Sequence, residues 1–190
     1  MIDFQEDVEE CLSVLRSGGL ILYPTDTIWG IGCDATNAAA VEKVYQLKQR
    51  NNEKALIVLV ADERNLGKYV ASLDPKIFEY LGSTQKPTTV VYDAAIGVAD
   101  NLIGKDGSIG IRVTKDVFCR HLIRRLGKPI VSTSANPSES KAPGTFKDID
   151  PYIKDGVDYI VKYRQDDINV SLPSSVVKWN KDGTVTILRS

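Results

Sequence analysis

The chain of 190 residues lacks the sequence features of membrane-spanning, secreted and zinc-binding proteins. No apolar run approaches the ~20 residues that a membrane helix needs, and residues 1–6 show no signal-peptide pattern. Three scattered cysteines, Cys11, Cys33 and Cys119, fit no zinc motif and are expected to be reduced thiols. The single histidine, His121, excludes a His-rich metal site. We therefore expect a cytoplasmic protein with no membrane contact and no metal site of its own.

The common nucleotide-binding motifs are absent as well. No GxxxxGK(S/T) segment occurs, which excludes a P-loop, and Gly30 and Gly32 supply only two of the three glycines of a GxGxxG motif. The HExxH and CxxC motifs are also missing. The net charge of -1 gives no overall basic excess, so contact with RNA would require a local basic patch. A nucleotide, if one binds, must be held by a less common arrangement of loops and cations.

The composition and the residue pattern predict a folded α/β domain. Apolar residues make up 43% of the chain and charged residues 26%, which is typical of globular proteins. Strand and helix patterns alternate over the first two-thirds of the chain, and a hairpin pattern at 176–188 closes it. A helix is expected at 115–126, with Thr114 as its N-cap. We predict a single α/β domain over residues 1–190, with a mixed sheet and flanking helices.

A polar segment follows the first predicted strand. The apolar run at 20–23 predicts a buried strand that ends at Pro24, which cannot donate a hydrogen bond to a neighbouring strand. Thr25, Asp26 and Thr27 follow directly. Polar groups at the end of a buried strand are typical of ligand sites in α/β proteins, but the same residues also favour a simple Asx- or Ser/Thr-type turn. The segment alone leaves both interpretations open.

Three cations lie close together before another predicted strand. Lys48, Arg50 and Lys54 precede the apolar run at 55–60, which predicts a buried strand. Cations beside a buried strand are one way to hold a polyphosphate. A lysine at a helix end can equally pack its stem on the protein and keep its ammonium group in water.

Two further strand patterns carry polar residues. Arg112 lies on the predicted strand at 108–113, on the same face as Ser108. An arginine on so apolar a strand needs a fixed anionic partner, which is either a core carboxylate or a ligand. The predicted strand at 129–131 runs into a hydroxyl and amide cluster that is either a site or a polar loop, and that includes Ser132, Ser134 and Asn136. Together these groups suit a small anionic ligand.

Four segments, in this order, resemble the motifs of one known family. Residues 23–32 resemble its Pro-Thr-(Asp/Glu)-Thr-x-(Tyr/Trp)-Gly signature, and residues 48–50 resemble its KxR motif. Residues 108–112 are similar to its central strand ending in arginine, and residues 134–136 resemble its SxN motif. The chain is therefore identified as a member of the YrdC/Sua5/TsaC family of L-threonylcarbamoyladenylate synthases, of the short single-domain bacterial type. The resemblance covers essentially the whole chain.

The resemblance implies a fold and a reaction. The fold is a twisted α/β sheet with an open, positively lined cavity. The reaction forms threonylcarbamoyl-AMP and pyrophosphate from L-threonine, bicarbonate or CO2, and ATP, with Mg²⁺ expected on the ATP phosphates. The product serves the formation of N6-threonylcarbamoyladenosine at position 37 of tRNA. Other, downstream proteins transfer the threonylcarbamoyl group to tRNA, and a direct contact of this chain with tRNA is left open.

The resemblance also implies the residues of the site. ATP is expected to bind at Lys48, Arg50, Lys54, Ser108, Ser134, Asn136, Ala142 and Arg189. L-Threonine is expected to bind at Thr25, Arg112, Ser132 and Ser174, with Arg112 as the partner of its carboxylate. Catalysis is expected from positioning and charge neutralisation rather than from covalent chemistry, by Lys48, Arg50, Ser134 and Asn136.

The chain departs from the family pattern at a few positions, and two alternatives are kept. Asn51 follows the KxR motif where the family commonly has proline, and Leu59 stands where some members have histidine. One alternative is a paralogue of the same fold that lacks synthase activity and binds tRNA or double-stranded RNA. The other is the carbamoyl-transfer domain of hydrogenase maturation proteins, whose length and zinc-finger cysteines this chain lacks.

Overall fold

Helices and strands alternate along the chain, as the sequence pattern predicts. The computed structural model describes residues 4–49, 56–138, 140–170 and 172–190. The α-helices are α1 (Gln5–Arg16), α2 (Ala38–Leu47), α3 (Lys76–Ser83), α4 (Val117–Leu126) and α5 (Pro151–Asp155). The strands are β1 (Ile21–Tyr23), β2 (Gly30–Gly32), β3 (Ile57–Val60), β4 (Thr88–Tyr92), β5 (Ile109–Val113), β6 (Ile130–Ser134), β7 (Tyr159–Ile160), β8 (Ser175–Trp179) and β9 (Val185–Arg189).

These strands form one mixed sheet in the order β7-β1-β2-β6-β3-β5-β4-β8-β9. The pairs β1/β7, β3/β5 and β4/β8 are parallel, and the other neighbours are antiparallel. Helices α1 and α4 pack against each other, and α4 also contacts β3. The predicted α/β class with a mixed sheet is therefore confirmed. None of the helices among the described residues is long and apolar enough to cross a membrane.

The prediction that Thr114 caps the helix after β5 is wrong. Helix α4 begins at Val117, and its N-cap is Asp116, whose Oδ1 accepts a hydrogen bond from the backbone N–H of Cys119 at 2.8 Å. A carboxylate at this position stabilises the positive end of the helix dipole better than a hydroxyl does. The hydroxyl of Thr114 instead donates to Asp26 at 3.3 Å, which ties the helix start to the polar segment after β1.

Strand β2 was not predicted, because its three residues, Gly30–Gly32, carry no apolar alternation. A Cβ on Gly32 would lie 2.6 Å from the ring of Tyr23 and 2.8 Å from the carbonyl oxygen of Val131. Glycine at this position therefore allows the Tyr23 ring to pack flat on the sheet. Because β1 and β2 pair in antiparallel fashion, the polar segment between them becomes the turn of a hairpin beside β6.

The three cysteines lie in the core. Cys11, Cys33 and Cys119 are each fully buried, and none forms a disulfide. Burial raises the pKa of all three thiols well above the usual range, because a thiolate would lose its hydration there. The thiols therefore stay protonated and chemically inert at neutral pH.

Candidate functional site

A cavity of about 350 Å³ opens over the middle of the sheet. Its walls come from the hairpin turn before β2, from strands β3, β4, β5 and β6, and from both arms of the β8–β9 hairpin. Seven of the residues that the family resemblance implies line this cavity: Ser108, Arg112, Ser132, Ser134, Ala142, Ser174 and Arg189. Side chains that are distant along the sequence therefore converge on one cleft.

The lining is positively charged and rich in hydroxyl groups. Arg112 and Arg189 are charged, and no aspartate or glutamate of the described residues faces the cavity. A guanidinium group stays charged at any physiological pH. The hydroxyl groups come from Thr27, Thr89, Ser108, Ser132, Thr133, Ser134 and Ser174. Since the described lining offers hydrogen bonds and fixed positive charge but no group that titrates near neutral pH, it can bind and orient anions rather than act as a general base.

Strand register places three of the lining residues at one end of the cavity, here called the arginine end: Arg112, Ser174 and Arg189. Arg112 pairs in register with Thr89 on β4, and the Thr89 and Ser174 hydroxyls are hydrogen-bonded at 2.9 Å. Arg189 donates from Nε and Nη2 to the backbone carbonyl of Ser174, at 3.2 and 2.8 Å. The last strand of the sheet is thereby fastened to the cavity wall.

Register places Ser108 and Ser134 at the opposite end, here called the serine end. Ile57 on β3 pairs with both Gly110 and Ser132, so Ser108 and Ser134 each lie two residues further in the same direction. At about 3.3 Å per strand residue, Ser108 and Arg112 are roughly 13 Å apart along β5. Ser108 and Ser134, predicted for ATP, thus lie at the serine end, and Arg112 and Ser174, predicted for threonine, lie at the arginine end. Arg189, predicted for ATP, also lies at the arginine end, and Ser132, predicted for threonine, lies between the two ends.

Arg112 has a carboxylate partner inside the protein. Its Nη2 lies 3.2 Å from Oδ1 of Asp26, and both side chains are almost fully buried. Asp26 is held in turn by the Thr114 hydroxyl and by the backbone N–H of Lys115. The Nε and Nη2 groups of Arg112 nevertheless make no hydrogen bond within the described residues. These two N–H groups share one edge of the guanidinium, and Nη2 is the nitrogen that faces Asp26, so this edge is directed at the protein's own carboxylate.

Thr27, and not Thr25, is the threonine of this segment that lines the cavity. The hydroxyl of Thr25 donates to the carbonyl of Ile28 at 2.8 Å and accepts from the backbone N–H of Thr27 at 3.0 Å. Thr25 lines a small neighbouring depression rather than the cavity, whereas Thr27 lines both. The segment therefore forms a hydrogen-bonded turn, as one of the two interpretations predicts, and the ligand-site interpretation stays a prediction.

Lys48 lies behind the serine end and does not line the cavity. Its ammonium group is buried and donates to the backbone carbonyls of Ser134 and Asn136, both at 2.6 Å, while the Ser134 hydroxyl is 3.5 Å away. The Asn136 amide donates to the carbonyls of Pro137 and Ser140, so it shapes the loop after β6. The structure thus brings Lys48, Ser134 and Asn136 together. The predicted contacts of Arg50 and Lys54 lie outside the described residues.

Three further threonines line the cavity although none was assigned to the site: Thr27, Thr89 and Thr133. Thr27 and Thr133 belong to the two polar segments that the sequence singles out, whereas Thr89 was missed. Thr89 could have been found, because it is a buried polar residue on a strand that continues as Val90 and Val91. Tyr23, beneath the cavity floor, donates to the carbonyl of Val131, and burial raises its pKa well above the usual range. It therefore supplies no ionised group.

The chain is similar to several known proteins. The family model of Sua5, YciO and YrdC, described as "Telomere recombination", matches residues 13–190. A threonylcarbamoyl-AMP synthase of Idiomarina loihiensis is 38% identical over 146 residues, which is 75% of this chain and 78% of the relative. A second threonylcarbamoyl-AMP synthase, of Halorhodospira halophila, is 33% identical over 158 residues, which is 83% of each chain.

Solved structures share the fold. P. abyssi Sua5 complexed with L-threonine superposes with a TM-score of 0.84 over 97% of this chain, at 19% identity. This chain spans 54% of that Sua5 chain, little more than half of its length. E. coli YciO gives a TM-score of 0.82 at 24% identity, covering 98% of this chain and 89% of YciO. At these identities the solved structures show only a common fold. The two threonylcarbamoyl-AMP synthases are more similar to this chain in sequence.

Proposed function

The chain belongs to the Sua5/YciO/YrdC family, and we propose that it is a threonylcarbamoyl-AMP synthase. The relatives at 38% and 33% identity are named for this activity. The structural observation that supports the proposal most is the cavity, which joins two arginines, Arg112 and Arg189, to a row of hydroxyls, with no acidic side chain among its described lining residues. Such a cavity suits two anionic reactants that must meet.

The proposed reaction is a nucleotidyl transfer. The amine of threonine adds to CO2 and loses a proton, which gives a carbamate. An oxygen of the carbamate then attacks the α-phosphorus of ATP. The new O–P bond forms as the bond to the bridging oxygen of the β-phosphate breaks, and pyrophosphate leaves. Since the nucleophile and the triphosphate are both negatively charged, the chain must orient them and offset their repulsion.

The arginine end would hold threonine. The guanidinium of Arg112 would donate to its carboxylate, the Ser174 hydroxyl would supply a further contact at this end, and the Ser132 hydroxyl would supply one between the two ends. Asp26 compensates the charge of Arg112 when no substrate is bound, since a buried guanidinium without a partner would be costly. Bicarbonate or CO2 would join threonine between the two ends.

The serine end would hold the triphosphate. The Ser134 hydroxyl faces the cavity and can donate to a phosphate oxygen, while Lys48 supplies positive charge directly behind it. Lys48 also fixes the carbonyls of Ser134 and Asn136, so it orients this end of the site. The prediction that Arg50 and Lys54 contact phosphates is retained from the sequence.

Mg²⁺ would enter with ATP rather than in a site built by the chain. No group of three or more His, Cys, Asp or Glu side chains among the described residues is arranged to hold a metal ion. The phosphate oxygens would therefore supply its ligands, and bound Mg²⁺ would reduce the negative charge of the triphosphate.

The product would be consumed by proteins that transfer the threonylcarbamoyl group to tRNA. A mixed anhydride of a carbamate and AMP is reactive towards amines and water, so its rapid transfer to an acceptor is expected. As part of the same proposal, we place the protein in the cytoplasm with the tRNA that it serves, and we include a direct tRNA contact as a property to be measured.

Pyrophosphate release tests the proposal directly. The purified chain is incubated with ATP and Mg²⁺, with threonine and bicarbonate added together and each omitted in turn. The synthase predicts release only when both are present. ATP turnover without threonine, or RNA binding without any release, would contradict the proposal and favour the paralogue that lacks synthase activity.

A further inference from the structure

Both hydrogen-bond donors of Ser108, at the serine end, are already occupied. The Ser108 hydroxyl lies 2.6 Å from Oδ1 of Asp106, and its backbone N–H donates to the same oxygen at 3.1 Å. An ionised carboxylate can only accept hydrogen bonds, so the serine hydroxyl must be the donor. The hydrogen bond from Ser108 also holds the pKa of Asp106 below its usual value, which keeps this carboxylate ionised at neutral pH.

Ser108 therefore offers only its oxygen lone pairs to the cavity. An acceptor backed by a carboxylate cannot bond to a phosphate oxygen, which is also an acceptor and negatively charged. Ser108 therefore requires a ligand group that donates a hydrogen bond. Threonine is excluded, because its proposed anchor, Arg112, lies roughly 13 Å away along β5, a distance that a single amino acid does not span.

The nucleoside half of ATP provides such a donor at the right distance. Ser108 and Ser134 lie level in the sheet and are separated by two strand spacings, across β3, which corresponds to about 10 Å. With the triphosphate at Ser134, the base can reach Ser108. A ribose hydroxyl can either donate or accept a hydrogen bond, so it would bind a serine hydroxyl whether or not that hydroxyl is fixed as an acceptor. The exocyclic amino group of adenine donates only, and inosine carries an acceptor oxygen in its place.

We propose that Asp106 is a positioning residue that holds Ser108 as a hydrogen-bond acceptor for the amino group of adenine, and so selects ATP over nucleotides with a 6-oxo base. This proposal rests on the proposed function for the orientation of ATP. Asp106 itself does not line the cavity, and it acts through Ser108.

The chain contains a matched control. Asp182 makes the same two contacts with Thr184 across Gly183, with distances of 2.6 Å to the hydroxyl and 3.0 Å to the backbone N–H. This turn joins β8 to β9 and does not line the cavity. Replacing Asp182 removes the same kind of turn contact without touching the site.

Equilibrium binding of ATP and ITP, measured by calorimetry without threonine, tests the proposal. The wild-type chain should bind ITP about tenfold more weakly than ATP, because two acceptors would face each other. Asp106→Ala frees the Ser108 hydroxyl to donate to the 6-oxo group, so the preference should fall to about twofold or less. Asp106→Asn, whose amide oxygen still accepts both contacts, should keep most of the preference, and Asp182→Ala should keep all of it.

The binding experiment can contradict the role of Asp106 without contradicting the proposed function, and the reverse also holds. Equal binding of ATP and ITP by the wild-type chain, or a wild-type preference in Asp106→Ala, would overturn the role of Asp106 even if the chain synthesises threonylcarbamoyl-AMP. A loss of affinity for 2′-deoxy-ATP or 3′-deoxy-ATP without one for ITP would place a ribose hydroxyl at Ser108 and would also overturn it. The predicted preference in a chain without synthase activity would support the role of Asp106 while contradicting the proposed function.

Discussion

Lys48→Met removes the ammonium group that ties the end of β6 to the loop that follows it. Methionine keeps most of the buried stem volume, so the change removes the polar contacts of the ammonium group, which include the two hydrogen bonds of 2.6 Å to the carbonyls of Ser134 and Asn136. A hydrogen bond to a charged group contributes about 1.5–3 kcal/mol, and removing a buried ammonium recovers part of its desolvation cost. We expect the free energy of unfolding to fall by about 1–3 kcal/mol.

The effect on activity should exceed the effect on stability. Loss of the charge behind Ser134 and of the loop position should lower kcat/KM for ATP at least ~100-fold, which corresponds to about 2.7 kcal/mol of transition-state stabilisation. The measurement is steady-state pyrophosphate release, with chemical denaturation of the same preparation to show that the variant is folded.

Lys43→Met is the matched control for Lys48→Met. Lys43 lies on α2, whose C-cap is Lys48, and its Nζ also donates to a backbone carbonyl, that of Gly18 at 2.8 Å, but it does not line the cavity. Its replacement should leave turnover within about twofold of wild type. Turnover of Lys48→Met close to wild type, or an equal loss in both variants, would refute the reasoning that assigns Lys48 to the site.

Three further predictions follow from the geometry. Arg112→Ala should mainly raise KM for threonine, by loss of the charged contact with its carboxylate; an unchanged KM would leave Arg112 as a structural partner of Asp26. Gly32→Ala should destabilise the protein by about 1–3 kcal/mol in denaturant titrations, since its Cβ would collide with Tyr23, and wild-type stability would refute that packing argument. The buried thiols, whose pKa values are raised on folding, should resist thiol reagents until the chain unfolds. The unfolded thiols ionise near pH 8.5, whereas the folded ones stay protonated. The free energy of unfolding should therefore be unaffected by the thiols below that pH and should fall above it by ~1.4 kcal/mol per pH unit for each thiol. A Cys→Ala variant at one position should reduce this slope, and an unchanged slope would contradict the burial of that thiol.

Local residue patterns predicted much of the fold. The helix predicted to end at residue 126 does end there, and Gly127, which follows it, adopts a positive φ of 73°. Asn37, a residue type that favours the N-cap, caps α2 by accepting a hydrogen bond from the backbone N–H of Ala40 at 3.1 Å. Such signals depend on a few adjacent residues, so a single sequence is enough to find them.

The features that the sequence did not predict depend on contacts between distant segments. Strand β2 exists because Gly30–Gly32 fits between β1 and β6, and nothing in its own three residues favours a strand. Arg112 clearly needed an anionic partner, but only the packed structure shows that Asp26 provides it. The division of the cavity into two ends likewise follows from strand register, which long-range pairing determines.

The most direct test of the central claim uses isotope labels. The chain is incubated with ATP, ¹⁵N-threonine and ¹³C-bicarbonate, and the nucleotides are analysed at once by mass spectrometry. The account predicts an AMP conjugate that carries both labels and forms together with pyrophosphate. AMP or ADP without either label, under conditions in which the chain binds ATP and threonine, would contradict the claim that this cavity joins the two substrates.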